Sequence, residues 1–184
     1  METNTELAAD GLVLETERLR LRRFRHEDAD AVFAIIGDAV AMQYYPKAFH
    51  REDASAWVGR NLRRYNEHGH GLFAVMLKES NAVIGDCGVI RQIVAGEMQL
   101  EVGYHFRRDH WGHGYATEAA RACTAWAFET LNAEKLISLI RPENLPSRRV
   151  AERNGMKIEH EVMHHGLAHL VYAMRREEFE RFQG

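Results

Sequence analysis

The stretch Leu100 to Ala119, LEVGYHFRRDHWGHGYATEA, restricts the chain to folds that feed a strand straight into a helix through a glycine turn. Leu100, Val102, Tyr104 and Phe106 alternate with Glu101, Gly103 and His105, the two-residue period of a strand. Beyond the turn, Ala116, Ala119, Ala120, Cys123, Trp126 and Ala127 recur at helical spacing, with Glu118, Arg121 and Glu129 off that stripe. Gly112 and Gly114 place no side chain between a ligand and the unpaired N–H groups of the helix's first turn, an arrangement that attracts anions and phosphate above all. The same glycines also suit a tight loop with no ligand. Tyr115 and Ala116 stand where a Walker loop needs Lys and Ser/Thr, and no third glycine completes a dinucleotide fingerprint.

The 184 residues suffice for one domain with a sizeable core, expected over 12–176, with a loose polar segment at 1–11 and a short helix-prone tail at 177–184. A net charge of -3 with interspersed Lys and Arg gives no reason to expect a nucleic-acid partner. No apolar run reaches the length of a membrane span and Met1 to Glu6 is acidic, so a soluble cytoplasmic protein without a membrane partner is expected. Cys87 and Cys123, isolated in a predicted strand and a predicted helix, read as reduced core thiols.

Periodicity predicts a strand from Leu12 to Phe24 and helices over Asp28 to Gly37 and Arg51 to His68. It then predicts a hairpin of Leu72 to Lys78 with Ala82 to Ile90, and a loop from Gln92 to Glu97 leading into the strand through Glu101. The helix after the glycine turn is expected to run to about Leu131. A strand (Lys135 to Arg141), a helix (Pro146 to Asn154) and two strands (Met156 to Met163 and Leu167 to Met174) complete the chain. The expected fold class is α/β (α+β), a mixed, mostly antiparallel central sheet of about seven strands flanked by about four helices, in the order β-α-α-β-β-β-α-β-α-β-β.

Trp111-Gly112-His113-Gly114-Tyr115-Ala116 resembles the Arg/Gln-x-x-Gly-x-Gly/Ala signature of the GNAT superfamily of N-acetyltransferases, with Trp111 in place of Arg or Gln. The wording W-G-x-G-Y-A-T-E-A is similar to that of the RimJ/RimL-like branch, the ribosomal-protein N-terminal acetyltransferases. So are Glu15 to Arg22, Glu101 to Tyr104 and Pro142 to Ser147. The resemblance implies acetyl-CoA as acyl donor and direct transfer to a primary amine in a ternary complex, first of all the α-amine of a protein or peptide N-terminus. A small-molecule amine (amino acid, polyamine or antibiotic) and a non-catalytic CoA-binding module stay open, as does a homodimer. It further implies that backbone groups of Tyr104, His105 and Phe106, freed where the fourth predicted strand splays after a bulge, bind the pantetheine arm. Trp111, Gly112, His113, Gly114, Tyr115, Ala116 and Thr117 would then take the pyrophosphate, with Asn144 touching pantetheine. Arg107 and Arg108 either add charge near the phosphates or simply lie on the surface.

For the base, Glu101 stands out from the residues alone, because a carboxyl in an otherwise apolar central strand is costly unless it faces a wet cleft or pairs with an arginine. Ser147 is the acid the resemblance implies, since the tyrosine many relatives use falls at Ala151. Asn144 and Pro146 also suit a helix cap and first turn. Among the eleven histidines, His164-His165-x-x-x-His169 straddles a predicted turn at Gly166 and completes no zinc set, so no metal is expected. The acceptor pocket is expected at Gln43-Tyr44-Tyr45-Pro46-Lys47, aromatic and not acidic, with only Glu52 and Asp53 close by.

Overall fold

The computed structural model describes residues 11–46 and 49–183. Nearly all of the expected loose N-terminal segment, Lys47 of the expected acceptor segment and the final residue of the expected tail lie outside the described residues. An eight-stranded sheet in the order β1-β2-β3-β4-β5-β6-β8-β7 forms the frame. Its strands are β1 (Leu12–Glu15), β2 (Leu19–Arg22), β3 (Leu72–Leu77), β4 (Val83–Val94), β5 (Glu97–Phe106), β6 (Lys135–Ile140), β7 (Lys157–His164) and β8 (Leu167–Arg175). Five helices accompany them: α1 (Ala29–Ile36), α2 (Arg51–His68), α3 (Tyr115–Glu129), α4 (Leu145–Arg153) and α5 (Arg176–Gln183). Only β5 and β6 run parallel.

Leu72, Phe73, Ala74 and Val75 of β3 are all buried, the continuous apolar run of a strand covered on both faces. Helix α2 starts on a reciprocal cap, the His50 N–H donating to Asp53 Oδ2 at 2.8 Å, and stops at Gly69, whose φ of +78° suits glycine. At the end of β2, Arg22 turns its guanidinium inward to meet Asp28 in a two-pronged pair at 2.7 and 2.8 Å, both groups nearly buried.

Two expected boundaries are corrected. The single strand over Leu12 to Phe24 is a hairpin, β1 against β2, because Thr16 and Arg18 between them are drawn onto Glu118 of α3, a contact some hundred residues away that local periodicity does not carry. The loop expected at Gln92 to Glu97 is strand almost throughout. β4 and β5 pair without a shift from Gly85↔Phe106 to Val94↔Glu97, and Ala95 (φ 50°) with Gly96 (φ 87°) turn the chain in two residues. Ile93 and Met98 at that tip are exposed and only Val94 is buried, so no alternating apolar face betrays the strand in the sequence. The eighth strand follows from the β1/β2 split and the fifth helix from the tail; α3 ends at Glu129 rather than Leu131. The bulge expected before the splay of the central strands is absent from the β4/β5 pairing.

Gly88 of β4 marks the tightest approach in the sheet, since a Cβ there would lie 2.1 Å from the Gly71 carbonyl oxygen and 2.8 Å from Leu72 Cα. Backbone atoms cannot swing aside. We expect Gly88→Ala to destabilise the fold by about 3 kcal/mol, the upper end of overpacking costs, read as a lower urea midpoint at unchanged slope.

Candidate active site

β5 and β6 share a single register pair, Glu101↔Ile137, and diverge beyond it, so Gly103 to Phe106 remain paired to β4 only. Side chains span the gap. The Leu139 N–H donates to Glu101 Oε1 at 3.3 Å, the Ser138 hydroxyl donates to the Val102 carbonyl at 2.7 Å, and the Tyr104 hydroxyl donates to the Ser147 carbonyl at 2.9 Å. Into this divergence opens a cavity of about 410 Å³ whose walls include Glu101, Tyr104, His105, Asn144 and Ser147. Five residues singled out from the sequence thus meet in one place.

Glu101 is half-buried there. Burial pushes its carboxyl up from the ordinary 4.5 to about 7, against the opposing pull of the hydrogen bonds from Leu139 and from Gln92 Nε2 at 3.3 Å. It therefore titrates near neutral pH, where a general base is most effective. Asn144 Oδ1 accepts from the Ser147 N–H at 3.2 Å, the expected cap of α4. Ser147 lines the cavity, and its carbonyl is engaged by Tyr104. Ala151, at the position of the missing tyrosine, is buried in the core.

Adjoining them is an array that sequence reasoning missed. Asp86 of β4 has no exposed side-chain surface and accepts from Trp57 Nε1 at 2.9 Å, with His105 Nδ1 at 2.7 Å from its other oxygen. His105 Nε2 lies 2.6 Å from the Tyr45 hydroxyl, and Trp57 stands edge-on to the imidazole at 5.2 Å between centroids. Burial disfavours a charge on this ring, but the Tyr45 oxygen and the Asp86 carboxylate outweigh it and raise the imidazole above its ordinary value. Both ring nitrogens of His105 are thus engaged, Nδ1 by Asp86 and Nε2 by Tyr45. His105 had been singled out for its backbone alone. The signal for Asp86 was present in Val83-Ile84-Gly85-Asp86-Cys87-Gly88-Val89-Ile90, a carboxyl in an apolar strand like Glu101.

The glycine turn forms a separate feature. Gly112 (φ 82°) and Gly114 (φ 81°) are left-handed, and a Cβ on Gly112 would meet no atom within 4 Å. The backbone here is open to a ligand, as a pyrophosphate at the start of α3 requires. Gly114 and Thr117 line a second cleft together with Arg18, Glu118, Arg121 and Arg153. Trp111 is partly exposed and donates its indole N–H to the Phe106 carbonyl at 2.8 Å; His113 stacks on Tyr115 at 5.5 Å. Phe106 is buried and Ala116 packs against the core, whereas Tyr115, also packed against the core, meets the turn through its ring beneath His113. Arg107 pairs with Asp109 at 2.6 Å and Arg108 with Asp38 at 3.4 Å, the surface alternative for both. His164 and His169 of the β7/β8 hairpin reach the cavity. Among the described residues no group of His, Cys, Asp or Glu has the arrangement of a metal site.

The raised carboxyl of Glu101 fixes a pH dependence. Its folded value lies above its unfolded one, so the folded chain holds that proton longer and loses stability as pH rises from 4.5 through 7. Glu101→Gln should remove this loss and be the more stable form above pH 7 by about 3 kcal/mol, the two proteins converging below pH 4.5. Urea denaturation at pH 4.5 and pH 8 measures it. A mutant no more stable than the wild type at pH 8 would show Glu101 to be solvated.

Residues 18–157 match the model of an acetyltransferase (GNAT) domain. The chain is 37% identical over 144 residues to the Bacillus subtilis (strain 168) protein YkkB, covering 78% of this chain and 84% of that one. It is 34% identical to the N-acetyltransferase YnaD of the same organism, over 79% and 83% of the two chains. A crystal structure of a GNAT-family acetyltransferase from Bacillus anthracis superposes with a TM-score of 0.76 at 30% identity, over 89% of this chain and 98% of the other. The chain belongs to the GNAT family of acetyltransferases and is an acyltransferase enzyme.

Proposed function

We propose that the protein moves an acetyl group from acetyl-CoA to a primary amine by direct transfer, with Glu101 as base, Ser147 as acid and a peptide N-terminal α-amine, as in the RimJ/RimL-like branch, as the acceptor. The observation that carries this reading is the convergence of Glu101, titrating near 7, with Ser147 and the unpaired edge of β5 on one cavity. The acyl donor supplies a thioester carbonyl open to attack. The open edge of Gly103 to Phe106 suits its pantetheine amides as an added strand, and the turn at Gly112 and Gly114 suits its pyrophosphate.

The protons balance as follows. An arriving ammonium has three; one stays in the amide, one leaves through Glu101 Oε to water, and one reaches the departing sulfur by way of the Ser147 hydroxyl. The N–C bond forms as the C–S bond breaks. An N-terminal amine, with a reference pKa near 8, leaves a useful neutral fraction at pH 7, whereas a lysine near 10.4 asks far more of a base titrating near 7.

In a thiol-release assay with an accepted peptide, Glu101→Gln should lower kcat by about 10²–10⁴-fold at pH 7, with partial recovery at higher pH, and Ser147→Ala should cost less with a smaller pH effect. A loss under about threefold for Glu101→Gln removes the base from the scheme. Short peptides with a free N-terminus should outcompete spermidine and kanamycin; the reverse ranking discards the peptide acceptor and leaves the acetyltransfer.

A further inference from the structure

The charge on the cavity wall is lopsided. Arg60 and Arg64, one turn apart on α2, both line it, and neither forms an ion pair with a carboxylate among the described residues. Arg60 lies over the Trp57 ring at 5.2 Å, and Arg64 donates only to the neutral Asn61 amide oxygen at 3.3 Å. Burial and the neighbouring guanidiniums press both below the ordinary arginine value, and the charges of Asp53 on Arg60 and of Glu101 on Arg64, neither in ion-pair contact, offset this only in part. On the same cavity, Arg141 Nε and His164 Nε2 are buried without a hydrogen-bond partner. The anionic side of the balance is slight: Glu101 is half-protonated at neutral pH, and Asp86, behind the wall, is already engaged by His105 and Trp57.

We propose that this wall is an anion subsite and that the acceptor amine carries a carboxylate, held by Arg60 and Arg64 while its amine faces Glu101. The planar guanidinium pairs two-pronged with a carboxylate, and two of them on one helix face set the distance from acid to amine. Filling the site relieves the repulsion between the arginines. A polycation would add to that repulsion, so spermidine and aminoglycosides are disfavoured on the same ground. This rests on the acetyltransferase reading and narrows its substrate class; an amino acid and a peptide side chain beside the N-terminus are the two sources of the acid that the test separates.

The test uses matched pairs, glycine against glycinamide and the C-terminally amidated dipeptides Ala-Glu against Ala-Gln, in the thiol-release assay. A carboxylate makes the amine more basic and a poorer nucleophile at pH 7, so any preference for the acid opposes intrinsic reactivity. We expect kcat/KM for the acid of at least one pair to exceed its amide by tenfold or more, the pair identifying which source is used. Arg64→Met should reduce that ratio below threefold, and Arg64→Lys should restore part of it. Amides equal to or better than acids in both pairs would overturn the proposal. Calorimetric binding of N-acetylglycine and N-acetylglycinamide, together with the N-acetylated dipeptides, to CoA-saturated protein needs no turnover. Tighter binding of the acids, lost in Arg64→Met, upholds the subsite even if no amine is acetylated, whereas equal binding of acid and amide overturns it while thiol release continues.

Discussion

Two parallel strands that part after one register pair impose a constraint on everything near them, because each backbone group released from the ladder must find another partner or face water. At the neck of the divergence, side chains supply the partners: Glu101 takes the Leu139 N–H and Ser138 covers the Val102 carbonyl. Farther out, the ladder between β5 and β6 does not continue among the described residues, the Phe106 carbonyl at its end being taken by the Trp111 indole, and the cavity begins there. Glu101 therefore has two duties, closing the neck of the divergence and presenting a carboxyl to the cavity, and the burial that raises its pKa is a consequence of the first.

The opposite wall is stiffened by a different device. Asp86 is fully buried near the start of β4, which is tolerable only because Trp57 and His105 both bond its oxygens. Through His105 the same charge orients Tyr45, on the segment that precedes α2, so a loop side chain is positioned by a strand carboxylate. Tyr45, Phe49, Trp57 and His105 stand in edge or tilted contact at 5.2 to 6.3 Å, and Tyr45, Trp57 and His105 of this group line the cavity from three separated pieces of chain.

How much of this was legible in the sequence depends on the range of the interaction concerned. Helix α2 runs over the residues expected, Arg51 to His68, because its cap, its apolar stripe and Gly69 are all local signals. Glu101 was found because a carboxyl among alternating apolar residues is anomalous on its own, and Asn144 because a cap is decided within four residues. The β1/β2 turn was not visible, since Thr16 and Arg18 answer to Glu118. The pairing of Asp86 with His105 comes from sheet register, and Tyr45 joins them from sixty residues away. A sequence discloses which residues are out of place more readily than what they meet.

Trp111 illustrates how a departure from a family's wording can be read in physical terms. An Arg or Gln at that position brings N–H donors to the start of the turn; the indole N–H of Trp111 supplies one, and it is spent on the Phe106 carbonyl where β5 ends. The turn is tied down at its other end as well. Arg18 Nη1 donates to the His113 carbonyl at 2.9 Å while its Nε and backbone N–H bind Glu118, and its guanidinium lies over Tyr115 at 4.6 Å. Both left-handed glycines are thus flanked by fixed points, so their conformational freedom has been given up before any ligand arrives. The hairpin that sequence periodicity overlooked is the piece that holds the glycine turn in shape.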